Sequence, residues 1–330
     1  MNSENQFPPH TIELAEPRSG IEDLPPAVPV WQPPKQRPKR LWLALLLFAV
    51  TFFTCLAAGR QFAISFGNGH AASIDEFVVS LKLLYKDPTA LGPGIPFAAA
   101  LMSMLLAHEL GHYFACRYHG IRASYPYFIP APTLIGTFGA FILMRSAIRS
   151  RRALFDVGAS GPLVGFVVAI PLLIYGVAHS HVVAASQDGE WIFGVPLALR
   201  FVESMVFPGA DPGTVLLHPV ARAAWVGLLA TSLNLLPAGQ LDGGHILRSL
   251  NTRLHKWIGL AVPLVLIALG FLNRSAKVWL LWAGILLALR FLRIPPVYDE
   301  RPLDPARVVL AAASLLVLIL CFMPVPLWEP

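Results

Sequence analysis

"IPFAAALMSMLLAHELGHYFACRY", residues 95–118, is long enough as a helix, at 1.5 Å per residue, to cross a hydrocarbon layer of about 30 Å. Its second half nevertheless carries His108, Glu109 and His112. Ionisable side chains are costly in a membrane helix, roughly 2.5–3.5 kcal/mol for Asp, Lys or Arg at its centre on insertion scales. A cost of that size calls for a partner or a purpose, and the rest of the chain supplies candidates for both.

The composition sets the class. Of the 330 residues, 55% are hydrophobic and 13% charged, and the mean hydropathy is +0.61. Soluble domains are usually about a quarter charged, so a water-soluble enzyme is excluded and the lipid bilayer is the expected surrounding. The net charge of +6 comes from basic residues flanking apolar runs. That is the pattern of membrane orientation rather than of nucleic-acid binding, so no nucleic-acid partner is expected. Cys55, Cys116 and Cys321 lie in apolar runs without C-x-x-C spacing and read as packing residues.

Runs of roughly spanning length fall at 41–59, 95–118, 157–178, 222–238, 257–272, 277–292 and 307–325. The expected fold class is therefore an all-α polytopic membrane protein with about seven transmembrane helices. Residues 126–144, "PYFIPAPTLIGTFGAFILM", are apolar but rich in Pro and Gly, and read as a re-entrant hairpin covered by protein or lining a cavity. Residues 1–40, with "LPPAVPVWQPPKQRPKR", read as a disordered, partly polyproline-like tail without a cleavable signal peptide. "PKQRPKR" before the first run places the N-terminus in the cytosol. The clusters at 117–122, 144–152, 247–256 and 290–293 then fall on the same side, and only the turn at 273–277 disagrees.

Within the opening stretch, His108-Glu109-Leu110-Gly111-His112 fits H-E-x-x-H. Residues i and i+4 share one helical face, so both imidazoles can reach one Zn²⁺. Glu109, one position on, can reach a water at the metal and serve as general base. Zinc hydrolase sites need a third protein ligand. The strongest candidate lies in "NLLPAGQLDGGHIL", residues 234–247. Pro237 and the glycines break the helix there, so Asp242 can turn back towards the bundle. "LDGG" is also good turn chemistry, and Asn234 could simply bond across helices. His108, His112 and Asp242 all come out in the cytosolic half under the same topology, although the orientation was assigned without them. His70, His119, His179, His181, His218 and His255 read as solvated, and His245 as a cytosolic-surface residue. Gly136 and Gly139 either admit a substrate strand beside extended backbone or allow tight packing.

With these motifs, and with "GTFGAFI" at 136–142 and "DVGASGPLVGF" at 156–166, the sequence resembles the site-2 protease family of intramembrane zinc metalloproteases. The resemblance covers roughly residues 95–250. It implies a three-helix catalytic core, zinc bound by His108, His112 and Asp242, Glu109 as catalytic base, and a polar catalytic role for Asn234. It also implies a transmembrane protein as substrate, cut in regulated intramembrane proteolysis. The 179–221 loop is too short to hold a PDZ domain of about 100 residues, so the chain looks like the compact members. The expected organisation is a tail (1–40), a first span with an extracytoplasmic loop (41–94), the catalytic core (95–250) and C-terminal spans (251–330). The expected setting is a bacterial cytoplasmic membrane, with the oligomeric state open. A divalent-metal transporter and a catalytically silent scaffold are the rival readings. The first would favour several weak sites along a path, and the second would tolerate loss of Glu109.

Overall fold

A computed structural model describes residues 40–70, 74–183, 192–210, 214–290, 299 and 301–328. In chain order its helices are α1 (Leu41–Asn68), α2 (Ile74–Lys86), α3 (Ile95–Tyr118), α4 (Arg151–Ala178), α5 (Leu197–Val206), α6 (Pro219–Leu235), α7 (Asp242–Leu250), α8 (Thr252–Leu272), α9 (Val278–Leu289) and α10 (Pro305–Cys321). The fold is all-α and of membrane type. Each of the seven apolar runs coincides with a helix, although the ends shift. Among the described residues four stretches are long and apolar enough to cross a membrane: 41–68, 88–118, 151–178 and 252–272. Helices α9 and α10 are apolar but shorter, and α6, with 17 residues, is largely buried among its neighbours.

Local chemistry sets the ends. The side chains of Ser150, Asn251 and Asp304 accept backbone N–H groups in the first turns of α4, α8 and α10, satisfying donors the helix itself cannot. Gly69, in the left-handed region at φ 76°, closes α1. Helices α2, α5 and α7 lie in stretches that read as loops or turns.

The stretch at 126–144 forms a β-hairpin of β1 (Tyr127–Pro130) and β2 (Thr137–Phe141), antiparallel with Tyr127 opposite Phe141 and Pro130 opposite Thr137. Helix α1 covers it and satisfies its backbone. Gln61 Nε2 donates to the Leu134 carbonyl at 3.0 Å, and Thr54 Oγ1 to that of Gly136 at 2.6 Å. Irregular backbone survives at membrane depth only when its polar groups are met in this way. Gly136 has φ 81° and a Cβ there would meet the Thr54–Cys55 backbone at about 2.6 Å, so this glycine serves tight packing. Gly139, at φ 99°, has nothing within 4 Å of where its Cβ would be.

The centre of the bundle is α3, α4 and α6 with α7 tucked in as a short fourth helix, one more than the expected three. Small residues allow the approach. Gly158, Gly161 and Gly165 repeat at i, i+3 and i+7 on α4 and so share one face. Against that face lie His245, His112 and His108 respectively. Helices α8 and α9 pack on each other through Leu266, Trp279, Ala283 and Leu286.

The topology has a direct test. Cysteines introduced at Lys86 and Arg253, both exposed, should differ in labelling by a membrane-impermeant thiol reagent. The first should react from the extracytoplasmic side and the second only after the membrane is opened. The three native cysteines are buried and give a low background. Labelling of both from one side would mean a different number of crossings between them.

Candidate metal centre

His108 and His112 stand one turn apart on α3, both 7% exposed. Helix α6 stops at Leu235, and Pro237 lies in the turn that follows. Gly239, at φ 57°, reverses the chain before α7 begins at Asp242. Gly243 and Gly244 let that first turn press on the carbonyls of Leu235 and Gly239. A Cβ at Gly243 would overlap the Leu235 carbonyl. Asp242 is the first residue of α7, whose N-cap Leu241 has no side-chain cap. Its Oδ2 lies 3.3 Å from both His108 Nε2 and His112 Nε2.

The two Nε2 atoms are 3.0 Å apart. Donors at about 2.0–2.1 Å from a tetrahedral zinc are separated by about 3.3 Å. The three separations therefore describe one face of a tetrahedron, and two imidazoles with one carboxylate are a donor set zinc favours. Among the described residues this is the one group of three His, Cys, Asp or Glu side chains close enough to share an ion. The residues fit the metal.

His112 Nδ1 lies 2.6 Å from the Val157 carbonyl on α4. That bond assigns the proton to Nδ1 and leaves Nε2 as the metal-facing lone pair. Asn234, in the last turn of α6, has Nδ2 3.3 Å from His108 Nε2. Glu109 is 5% exposed. The backbone N–H of Ile142, just past β2, donates to its carboxylate, while its Oε2 is buried with no hydrogen-bond partner. A buried carboxylate oxygen without a partner is costly, which suits a group kept ready for a proton.

All five site residues expected from the sequence thus lie around one point. The Val157 carbonyl, the Ile142 N–H and the α4 glycine face were missed. Backbone groups carry no sequence signal, but the i, i+3, i+7 glycines of "DVGASGPLVGF" did. The histidines expected in solvent are mostly otherwise engaged. His119 meets Asp156 at 2.7 Å, His218 Nδ1 accepts from Val220 N at the start of α6, and His255 is buried near the Gly239 carbonyl. His245 packs on Gly158 rather than lying on the surface.

If Asp242 is the third ligand, Asp242→Asn should weaken zinc binding by more than about tenfold, the lower bound for changes one step further from the metal. Chelator competition measures this, and an unchanged affinity would place the ligand elsewhere.

Comparison with known proteins gives the same direction. The model of "Peptidase family M50" matches residues 96–270. Relatives are "Probable zinc metalloprotease EGY1, chloroplastic" of Oryza sativa subsp. japonica, 30% identical over 64% of this chain and 38% of the relative, and its Arabidopsis thaliana namesake, 28% identical over 88% and 55%. A third is "Probable zinc metalloprotease EGY2, chloroplastic" of Arabidopsis thaliana, 28% identical over 96% and 52%. The chain spans about half the length of the curated relatives it matches. No solved structure matches it significantly. These relatives are chloroplastic by name, which gives the expected bacterial membrane no support.

Proposed function

The chain belongs to peptidase family M50, and from that premise we propose that it is a zinc endopeptidase that cuts transmembrane proteins within or near the bilayer. The observation that carries the reading is the convergence of His108, His112 and Asp242 on one point, with the partnerless oxygen of Glu109 on the residue after His108. In this reading residues 95–250 are the catalytic core, flanked by the tail, the first span with its loop, and the C-terminal spans.

His108, His112 and Asp242 would hold zinc, which when bound would supply a Lewis acid able to make water nucleophilic at neutral pH. Glu109 accepts the proton of the attacking water and returns it to the leaving nitrogen. In this reading the Asn234 amide N–H, 3.3 Å from His108 Nε2, would donate to the scissile carbonyl oxygen as charge grows there. A helical substrate hides its carbonyls in its own hydrogen bonds, so it must unwind before attack. The hairpin offers a surface for the unwound segment. Strand β2 pairs with β1 on one edge, carries Phe138 at 71% exposure, and runs directly into Ile142 beside Glu109. An extended segment added to the other edge of β2 would lie along the base. The plastid relatives widen the expected setting from a bacterial cytoplasmic membrane to its plastid counterpart, with the basic loops on the cytosolic or stromal side.

The test is the full chain reconstituted in vesicles with a single-span substrate. Expected are cleavage inside or beside the span, its loss on chelation, and its return with added zinc. Zinc flux across the vesicle wall without cleavage would make the chain a transporter. Bound zinc with neither flux nor cleavage would make it a scaffold.

A further inference from the structure

We propose that Asp156 is a positioning residue for the metal centre and that through it α10 holds His112 in register; this rests on the zinc-site reading above. Asp156 immediately precedes Val157, whose carbonyl lies 2.6 Å from His112 Nδ1. Its carboxylate accepts from two other helices. His119 Nε2, at the C-terminal cap of α3, approaches Oδ2 at 2.7 Å. Arg307 of α10 donates through Nε at 2.8 Å to Oδ1 and through Nη2 at 2.5 Å to Oδ2. Such a two-pronged guanidinium–carboxylate pair is both strong and directional. Asp304 holds the same guanidinium from its other side through Nη1, and its Oδ1 accepts from the Arg307 backbone N–H at 3.1 Å. The first turn of α10 is therefore stiff where it grips α4.

The clamp adds direction to an interface that is already closely packed. Beside it an open apolar groove of about 640 Å³ runs along α3, α4 and α10, lined by residues including Phe114, Tyr118, Asp156, Leu163 and Leu310. Close packing sets the spacing of α3 and α4: a Cβ at Gly111 would meet the Ser160 carbonyl at 2.6 Å, and Val157 is buried with Tyr113 and Cys116. Apolar contact is non-directional, whereas the bonds to Asp156 fix the rotation of α4 about its axis. Two polar pins hold α4 to α3 there: His119–Asp156 and His112–Val157. They come from adjacent residues of α4, and releasing the first frees the second to drift. A drift of the Val157 carbonyl would leave the His112 ring free to turn, and with it the lone pair offered to the metal.

The experiment compares Asp156→Asn, Arg307→Lys and His119→Gln in the full chain. Lysine keeps the charge but not the two-pronged bond. Each should weaken zinc, competed against a chelating dye, by about tenfold or more, and each should shift the visible absorption of the cobalt-substituted centre. With a peptide substrate, kcat should fall while KM stays, since the clamp orients a ligand and not the substrate. A merely structural role would lower Tm yet leave the cobalt spectrum of the folded fraction unchanged. If Asp156→Asn does not fold, Arg307→Lys and His119→Gln decide. Unchanged affinity and spectrum in those two overturn the inference alone. A wild-type chain that takes up no zinc overturns it together with the zinc-site reading.

Discussion

Glu109→Gln is expected to lower peptide-bond cleavage by about 10²–10⁴-fold, the usual contribution of a positioned general base, while the chain keeps its zinc. Glutamine fills the same volume but has no oxygen basic enough to take a proton from water. Zinc should stay because Glu109 is not among the three side chains that converge on the metal position. The substitution also separates chemistry from folding. Glu109 is buried and its Oε2 has no partner, so the native carboxylate carries a desolvation cost that a neutral amide does not. Thermal stability should therefore be unchanged or higher. Zinc content, melting temperature and turnover of a reconstituted substrate, measured on one preparation, check all three expectations. Residual cleavage above a tenth of wild type would remove Glu109 from the mechanism.

What the sequence made legible was what short-range periodicity encodes. H-E-x-x-H needs only the i, i+4 geometry of one helix. The break at Pro237 and the two glycines after Asp242 need only local backbone rules. The hairpin at 127–141 was legible because Pro130, Gly136 and Gly139 make a poor helix of an otherwise apolar stretch. Helices α5 and α7 were not. With 10 and 9 residues they are shorter than the window over which helical periodicity separates from noise, and tertiary contact selects them. The partners of Asp156 were out of reach for another reason. His119 lies 37 residues before it and Arg307 151 after it, and no local pattern links charges so far apart. His119 looked solvated because its sequence neighbours are polar, although its partner arrives from another helix.

Gly161→Ala is expected to abolish metal binding at a small cost in stability. Gly161 faces the imidazole of His112 across the α3–α4 contact, and a Cβ added there would overlap Nε2, the atom turned towards the metal position. The neighbour that must yield is a ring already pinned through Nδ1 to the Val157 carbonyl at 2.6 Å. The ring can move only by breaking that bond or leaving its rotamer. Overpacking of a core position costs about 1–3 kcal/mol, which a folded chain can survive. Metal coordination is less forgiving, since distances must hold to about ±0.2 Å, and a displaced Nε2 leaves only His108 and Asp242. Gly165→Ala should be milder. Its added Cβ would lie 3.2 Å from His108 Cβ, so a shift of a few tenths of an ångström relieves it and zinc affinity should fall only partly. Gly67→Ala, near the end of α1 with nothing within 4 Å, should leave zinc untouched and raise stability slightly through reduced chain entropy. The graded order, Gly161 far worse than Gly165 and Gly67 neutral, is read by chelator competition on detergent-purified chains. Equal zinc affinity in Gly161→Ala and wild type would mean that His112 binds the metal from a position other than the one beside Gly161.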